Sequence, residues 1–171
     1  MTRANGGLHR LVWSMTAPDA LFFRRNARSA VRVQHELLAG ILKANRETQF
    51  GKENGFDRVR TFLEYRERVP VRGWEQFLPY IHAIRTGTEQ VLTAEAVRLF
   101  EPTSGSASAV KFVPYTDGLR RQYGRGVNVW LHNVYKHVPG VRGGKHFWSI
   151  SSSRGAQADF DTSLRVGFFA R

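Results

Sequence analysis

An α/β domain is the fold class this sequence predicts, and three observations carry it. Segments of helical period are interleaved with short segments of strand period, the pattern of mixed layers and not of separate all-helix or all-strand blocks. No repeat, heptad or break in composition divides the 171 residues, a length that suits one domain or part of one. Hydrophobic residues at 42% and charged residues at 23% are ordinary globular values, which excludes wholly disordered and collagen-like chains.

The first helix is expected from Pro18 to about residue 44, with Thr16 as its cap and Pro18 in the first turn, where the missing N–H costs little. Val31, Leu38, Ile41 and Leu42 recur within it at helical spacing. Asn45, Thr48 and Phe50-Gly51 end it, and Glu53-Asn54-Gly55-Phe56 reads as a loop, with Gly51 and Gly55 free to take positive φ. Thr61-Phe62-Leu63-Glu64 has the form of a capping box, in which hydroxyl and carboxylate each satisfy an orphan amide of the first turn. Pro70 limits that helix to two turns. Short helices are expected over 74–78 and 79–85, the second closed by Gly87 in a left-handed conformation.

The period then changes. Val97-Arg98-Leu99-Phe100 alternates as a strand, Lys111-Phe112-Val113 is extended up to Pro114, and the residues between are small and polar. Thr116 caps a long helix on which Leu119, Tyr123, Val127, Trp130, Leu131 and Val134 form a face of three- and four-residue spacing, expected to be buried and ended by Pro139-Gly140. Trp130, on that face, is assigned to the core together with Trp74 and Trp148. Residues 146–150 read as a further strand, and residues 152–171 as an off-pattern or disordered tail.

Composition narrows the chemistry. Cysteine is absent, which excludes disulfides, thiolate metal sites and cysteine nucleophiles. Lys plus Arg outnumber Asp plus Glu by 26 to 14, a formal charge of +12. Because the basic residues run from Arg3 to Arg171 without forming a block, the charge reads as a solvated surface, with a basic nucleic-acid-binding module as the lesser alternative. No apolar run reaches the roughly 18 residues of a membrane span, although Leu21-Phe22-Phe23 before Arg24-Arg25 suits contact with a surface. No secretory signal is visible, and the cytoplasm is the expected compartment. His132 and His137, five apart, miss the i, i+4 spacing of paired ligands and are read as surface or cap residues. No metal site is expected.

The stretch with chemistry in it is Thr103-Ser104-Gly105-Ser106-Ala107-Ser108-Ala109-Val110-Lys111, set between two strands. Small residues let a backbone approach a phosphate chain, amides and hydroxyls donate to its oxygens, and a lysine at the loop's end balances charge. By composition alone such a run is also an ordinary solvated turn.

The run has the spacing of the first nucleotide motif of adenylate-forming enzymes, T-S-G-[ST]-[TS]-[GS]-x-x-K, and its surroundings narrow the likeness. Asn45, Thr48, Phe50-Gly51, Gly55-Phe56, Phe62, Arg68-Val69-Pro70-Val71, Trp74-Glu75, Ile81, Ile84 and Gly87 come first. Phe100-Glu101-Pro102-Thr103 and Lys111 to Thr116 frame the loop, and Gly144-Lys145 and Phe147 to Ser151 follow. In this order the chain resembles the GH3 family, the auxin-responsive-promoter type acyl acid amido synthetases, from about residue 34 to 150.

The resemblance implies the N-terminal part of an adenylate-forming, acyl-AMP ligase-like large domain, incomplete over 1–171. It implies a ligase that activates a carboxylic acid with ATP and Mg2+ and passes the acyl group to the amine of an amino acid. By carry-over Ser104, Gly105, Ser106 and Ser108 hold the β- and γ-phosphates, Thr103 sets the loop entry and Lys111 closes its base. Ala107 replaces a usual hydroxyl, and Ser108 stands where glycine is common. Members of the family are several times longer, and the motifs for adenine, ribose and magnesium have no counterpart before Arg171. The chain alone is therefore expected to be inactive, with a non-catalytic truncated product as the alternative.

Overall fold

The structure is a computed structural model and describes residues 4–102, 111–138, 140–141 and 165–166. The chain divides into two compact units, Met1–Val33 with Leu119–Ser149 and Gln34–Gly118 with Ile150–Arg171.

In the first unit, α1 (Ala4–Ala27) lies against α6 (Asp117–His137). The run is antiparallel, because contacts that ascend on one helix descend on the other. His9 meets Tyr135, Trp13 and Thr16 meet His132, and Asp19 meets Asn128 and Arg125. The helix thus starts well before Pro18, which corrects the expectation from sequence. Pro18 sits mid-helix, where it removes the donor for the carbonyl of Ser14. Ser14 is exposed, so water can serve that carbonyl. Thr16 is no cap: it is buried and its hydroxyl donates to the Trp13 carbonyl at 2.9 Å. The buried stripe of α1 is His9, Thr16 and Ala20, i, i+7 and i+11 on one face. Two of the three are polar and one is small, so hydrophobic periodicity does not reveal it.

The face expected on α6 is also displaced. Trp130 is 58% exposed and Tyr123 53%, whereas His132 and Tyr135 are the buried residues. His132 stacks on Trp13 at 5.2 Å, with Nδ1 3.2 Å from the Trp13 carbonyl and 3.4 Å from the Thr16 hydroxyl. A histidine expected at the surface is therefore a core residue, its polar atom supplied with partners. His137 is exposed, its Nδ1 against the Asn133 carbonyl. Trp148 and residues 146–150 lie outside the described residues.

Between α1 and α2 (Ala30–Asn45) the chain turns at Arg28-Ser29, with Ser29 N–H on the Asn26 carbonyl and the Ser29 carbonyl receiving Val33 N–H. The second unit then holds α3 (Gln49–Glu53), a 3-10 turn Phe56–Arg58, α4 (Phe62–Arg68), a 3-10 turn Trp74–Phe77 and α5 (Leu78–Arg85). Thr48, expected to end a helix, starts one, its hydroxyl accepting from Gly51 N–H at 3.0 Å. Two more orphan amides of α3 are met from a distance, Gln49 N–H by the Gln90 carbonyl and Phe50 N–H by that of Val91. Of the two glycines expected to be left-handed, Gly55 has φ +63 and Gly51 is helical.

The Thr61 capping box forms as expected. Its hydroxyl accepts from Glu64 N–H at 3.2 Å, and the Glu64 carboxylate accepts from the N–H groups of Thr61 and Arg60 at 3.1 and 2.6 Å. Thr61→Ala should lower stability by about 0.5–2 kcal/mol, with Thr61→Ser close to wild type, read from urea midpoints. A seven-residue helix has no length to spare, and loss of its cap should be visible as faster amide exchange at Leu63 and Glu64. Gly87, with φ +93, closes α5: its N–H bonds the Ile84 carbonyl and Thr88 N–H bonds that of Ala83, the paired bonds of a Schellman end.

β1 (Val97–Pro102) and β2 (Phe112–Thr116) pair antiparallel, and β3 (Arg165–Val166) joins β1 in parallel, giving the order β2-β1-β3. The second strand does not stop before Pro114 but runs through it, opposite Phe100. Its edge position permits this, since an edge strand has one row of amides that need no ladder partner. Phe100 lies at the centre of the sheet, wholly buried with Ile81, Ile84 and Val91, and Trp74 packs on that cluster as expected. A second cluster, Leu42, Phe56 and Val59, joins α2 to the turn before α4.

Candidate functional site

The candidate site is the segment between β1 and β2. The last registered pair of the hairpin is Pro102 with Phe112, so residues 103–111 form its connection. Thr103, Ser104, Gly105, Ser106 and Ser108 lie outside the described residues, and what is described is the frame that holds them. Phe100 anchors β1 in the core two residues before Pro102, and a bulge between Val97 and Leu99 adjusts the strand's entry. Side chains alternate along the pair, which puts Glu101 and Val113 on the face opposite Phe100 and Pro114. Glu101 is half-buried, and burial pushes its carboxyl above the ordinary value of 4.5. Lys111, at the foot of β2, is exposed and makes no hydrogen bond or ion pair to a described residue. An exposed cation where the loop re-enters the sheet fits a polyphosphate ligand.

The far end of the hairpin is tied down by residues the sequence does not advertise. β2 leads straight into α6, and the first turn of that helix is held by two carboxylate contacts. Gly118 N–H donates to Glu95 Oε2 at 2.7 Å, and Arg98 Nε donates to Asp117 Oδ2 at 2.9 Å. The first is a capping interaction from 23 residues away, for which no local motif exists; the second is an ordinary exposed pair, worth little by itself.

A second polar group, also absent from the sequence reading, surrounds Phe50. Arg72 lies over the Phe50 ring at 4.9 Å and donates to Asn54 Oδ1 at 3.1 Å, while Tyr80 donates to Glu53, which also accepts from Gln49 at 2.9 Å. The hydrogen bond from Tyr80, then that from Gln49, holds the Glu53 carboxyl below 4.5, and the same bond raises the Tyr80 phenol above 10.0. Glu53's contribution to stability is present above its unfolded value and is lost as pH falls through the depressed one. Tyr80's is present below 10.0 and lost as pH rises through the raised value. In Tyr80→Phe, carbon-detected titration of Glu53 should move its midpoint upward; an unmoved midpoint would show that the phenol is not its partner in solution.

Comparison with known proteins places the chain in a family, over a range that includes the hairpin and its flanks. The family model for the GH3 family N-terminal domain matches residues 20–165. This chain belongs to the GH3 family. The indole-3-acetic acid-amido synthetase GH3.8 of Oryza sativa subsp. indica is 32% identical over 122 residues, covering 69% of this chain and 20% of that protein. A solved GH3.15 acyl acid amido synthetase superposes with a TM-score of 0.75 at 20% identity, over 86% of this chain and 27% of its own. AtGH3.15 in complex with 2,4-DB superposes with a TM-score of 0.68, over 97% and 28%. The mixed helix-and-sheet fold of this GH3 chain is thus that of the acyl acid amido synthetases, and the chain spans under a third of the length of the relatives it matches. Among the described residues no helix is long and apolar enough to cross a membrane.

Proposed function

We propose that this chain is the phosphate-gripping part of an ATP-dependent acyl acid amido synthetase that adenylates a carboxylic acid and transfers its acyl group to an amino acid amine. The observation that carries the reading is the placement of residues 103–111 as the connection of the β1–β2 hairpin in a GH3 chain, with Lys111 exposed at its foot. The whole of 1–171 then serves as one N-terminal portion of the adenylating domain, working in the cytoplasm. ATP with Mg2+, when bound, supplies the α-phosphorus that the substrate carboxylate attacks as pyrophosphate leaves. Thr103 sets the loop entry. The hydroxyls of Ser104, Ser106 and Ser108 and the amide of Gly105 donate to phosphate oxygens, and the Lys111 ammonium neutralises charge there.

Calorimetric titration of the 171-residue chain with Mg-ATP tests this. Lys111→Ala should weaken binding about tenfold or more, the value of one charge-assisted hydrogen bond, and Ser106→Ala by less, with far-ultraviolet circular dichroism unchanged. Equal binding by wild type and both variants would remove the loop assignment. Tight duplex-DNA binding that falls steeply with salt would favour the basic nucleic-acid module instead.

A further inference from the structure

A cavity of about 440 Å³ opens in the second unit between α2 and the turn that precedes α4. One wall is a single face of α2, residues His35, Leu38, Ala39, Leu42 and Lys43, spaced i, i+3, i+4, i+7 and i+8, with Arg46 just past the helix end. The other wall is Phe56, Asp57 and Val59 to Phe62. Its floor is apolar, formed by the buried cluster Leu42, Phe56 and Val59 with Leu38 against it. This is a different core from the one beneath β1.

Its rim is cationic. Lys43 has no hydrogen bond or ion pair among the described residues. Arg60 donates to the carbonyls of Asp57 and Val59 at 2.6 and 3.1 Å, so its guanidinium is positioned by neutral acceptors and not by an ion pair. Glu64 accepts from the Arg60 backbone N–H, and the Arg60 charge is the smallest of the influences on its carboxyl. Arg46 meets the solvent-exposed Glu47, at 3.5 Å. The one acid of the lining, Asp57, is turned to Arg58 at 3.7 Å. An apolar floor with positive charge positioned at its rim is complementary to a molecule with an apolar body and one anionic end.

We infer that this cavity is a binding site for a small amphipathic monoanion, such as a medium-chain carboxylate, with the chain on Leu38, Leu42, Phe56 and Val59 and the head group between Lys43 and Arg60. The volume lies within the range of small-ligand pockets, roughly 300–1,000 Å³. The site is independent of the hairpin reading. It shares no residue with 103–111, and its occupancy should be indifferent to Mg-ATP and to Lys111→Ala.

The test is a nuclear magnetic resonance titration of the 171-residue chain with three probes of equal length: octanoate, octanol and octylammonium. Octanoate should saturate and shift the methyl signals of Leu38, Leu42 and Val59 and the amide of Thr61. Octanol should bind about tenfold more weakly, the conversion of one charge-assisted contact, and octylammonium not at all. Lys43→Gln should weaken octanoate about tenfold on the same grounds and leave octanol unchanged. Ala39→Phe, a substitution at an exposed position of the lining that fills the cavity, should abolish the shifts while the rest of the spectrum stays dispersed. Equal binding of octanoate and octylammonium, or octanoate shifts centred on residues outside the cavity, would overturn the assignment. A loss of octanoate binding in Lys111→Ala alone would overturn it too, since the anion would then be read at the hairpin.

Discussion

Phe100→Ala should cost the second unit about 3–5 kcal/mol, the usual loss for a large aromatic removed from a core. Phe100 has no exposed surface and is packed against Ile81, Ile84 and Val91. In the sheet register it stands opposite Pro114 on one side and Val166 on the other, so the void left by its ring would lie where helix α5 meets the central strand. Relaxation is limited, because its neighbours come from both α5 and the segment that follows it. Whole domains are stable by only about 5–15 kcal/mol, which makes this loss a large fraction of the total. Phe100→Leu keeps most of the volume and should cost about 1.5 kcal/mol or less. Urea denaturation followed by tryptophan fluorescence separates the two, Trp74 reporting from the same cluster. A Phe100→Ala midpoint within error of Phe100→Leu would show that the cluster does not hold the hairpin. If the loop does grip a polyphosphate, Phe100→Ala should also weaken Mg-ATP, because the strand that delivers Thr103 would lose its anchor.

Gly51→Ala should be nearly as damaging, for a backbone reason. A Cβ at residue 51 would collide with the Asn45 carbonyl oxygen and lie 3.0 Å from Thr48 Oγ1. That carbonyl is fixed by two bonds, from Thr48 N–H at 3.2 Å and from the Thr48 hydroxyl at 2.7 Å, so it cannot yield without undoing the start of α3. A loss of about 1–3 kcal/mol or more is expected from forced overpacking. Two other glycines give the controls. Gly55→Ala places a Cβ on a left-handed residue with φ +63 and little nearby, so strain of about 1–2 kcal/mol is the whole cost. Gly40→Ala, in the middle of α2 with nothing within 4 Å of the added Cβ, should stabilise by about 0.5–1 kcal/mol. Thermal midpoints of the three variants check the order, and a neutral Gly51→Ala would show that the α2–α3 junction is looser than its contacts indicate.

The same contrast separates what is legible in the residues from what is not. Thr61 with Glu64, and Gly87 after Arg85, are signals whose partners lie within a few residues, and both form as read. The strand pair around the hydroxyl-rich loop is legible for the same reason, and the order of residues around it carries the GH3 likeness that the family match bears out. Anchoring over longer distances has no such signal: Glu95 reaches the α6 N-terminus across 23 residues, and Asn45 Oδ1 accepts from Ala94 N–H across 49.

Burial is what pattern conveys least. Spacing alone selects Trp130 for the inside of α6 and leaves His132 outside, and the structure reverses both. Helical spacing states which residues share a face, but which face is covered depends on the element that arrives, and here α1 arrives with His9, Thr16 and Ala20 buried. Pro18 reads as a start because locally it opposes a helix; the antiparallel contacts of α1 with α6 override that preference. By itself, then, the sequence determined the Thr61 and Gly87 caps, the hairpin, the cysteine-free chemistry and the family, all of which rest on neighbours in the chain or on their order. Only the tertiary structure decided where α1 begins, which side of α6 is covered, why Gly51 must be glycine and where the cationic cavity lies, because each depends on atoms brought together from separate parts of the chain.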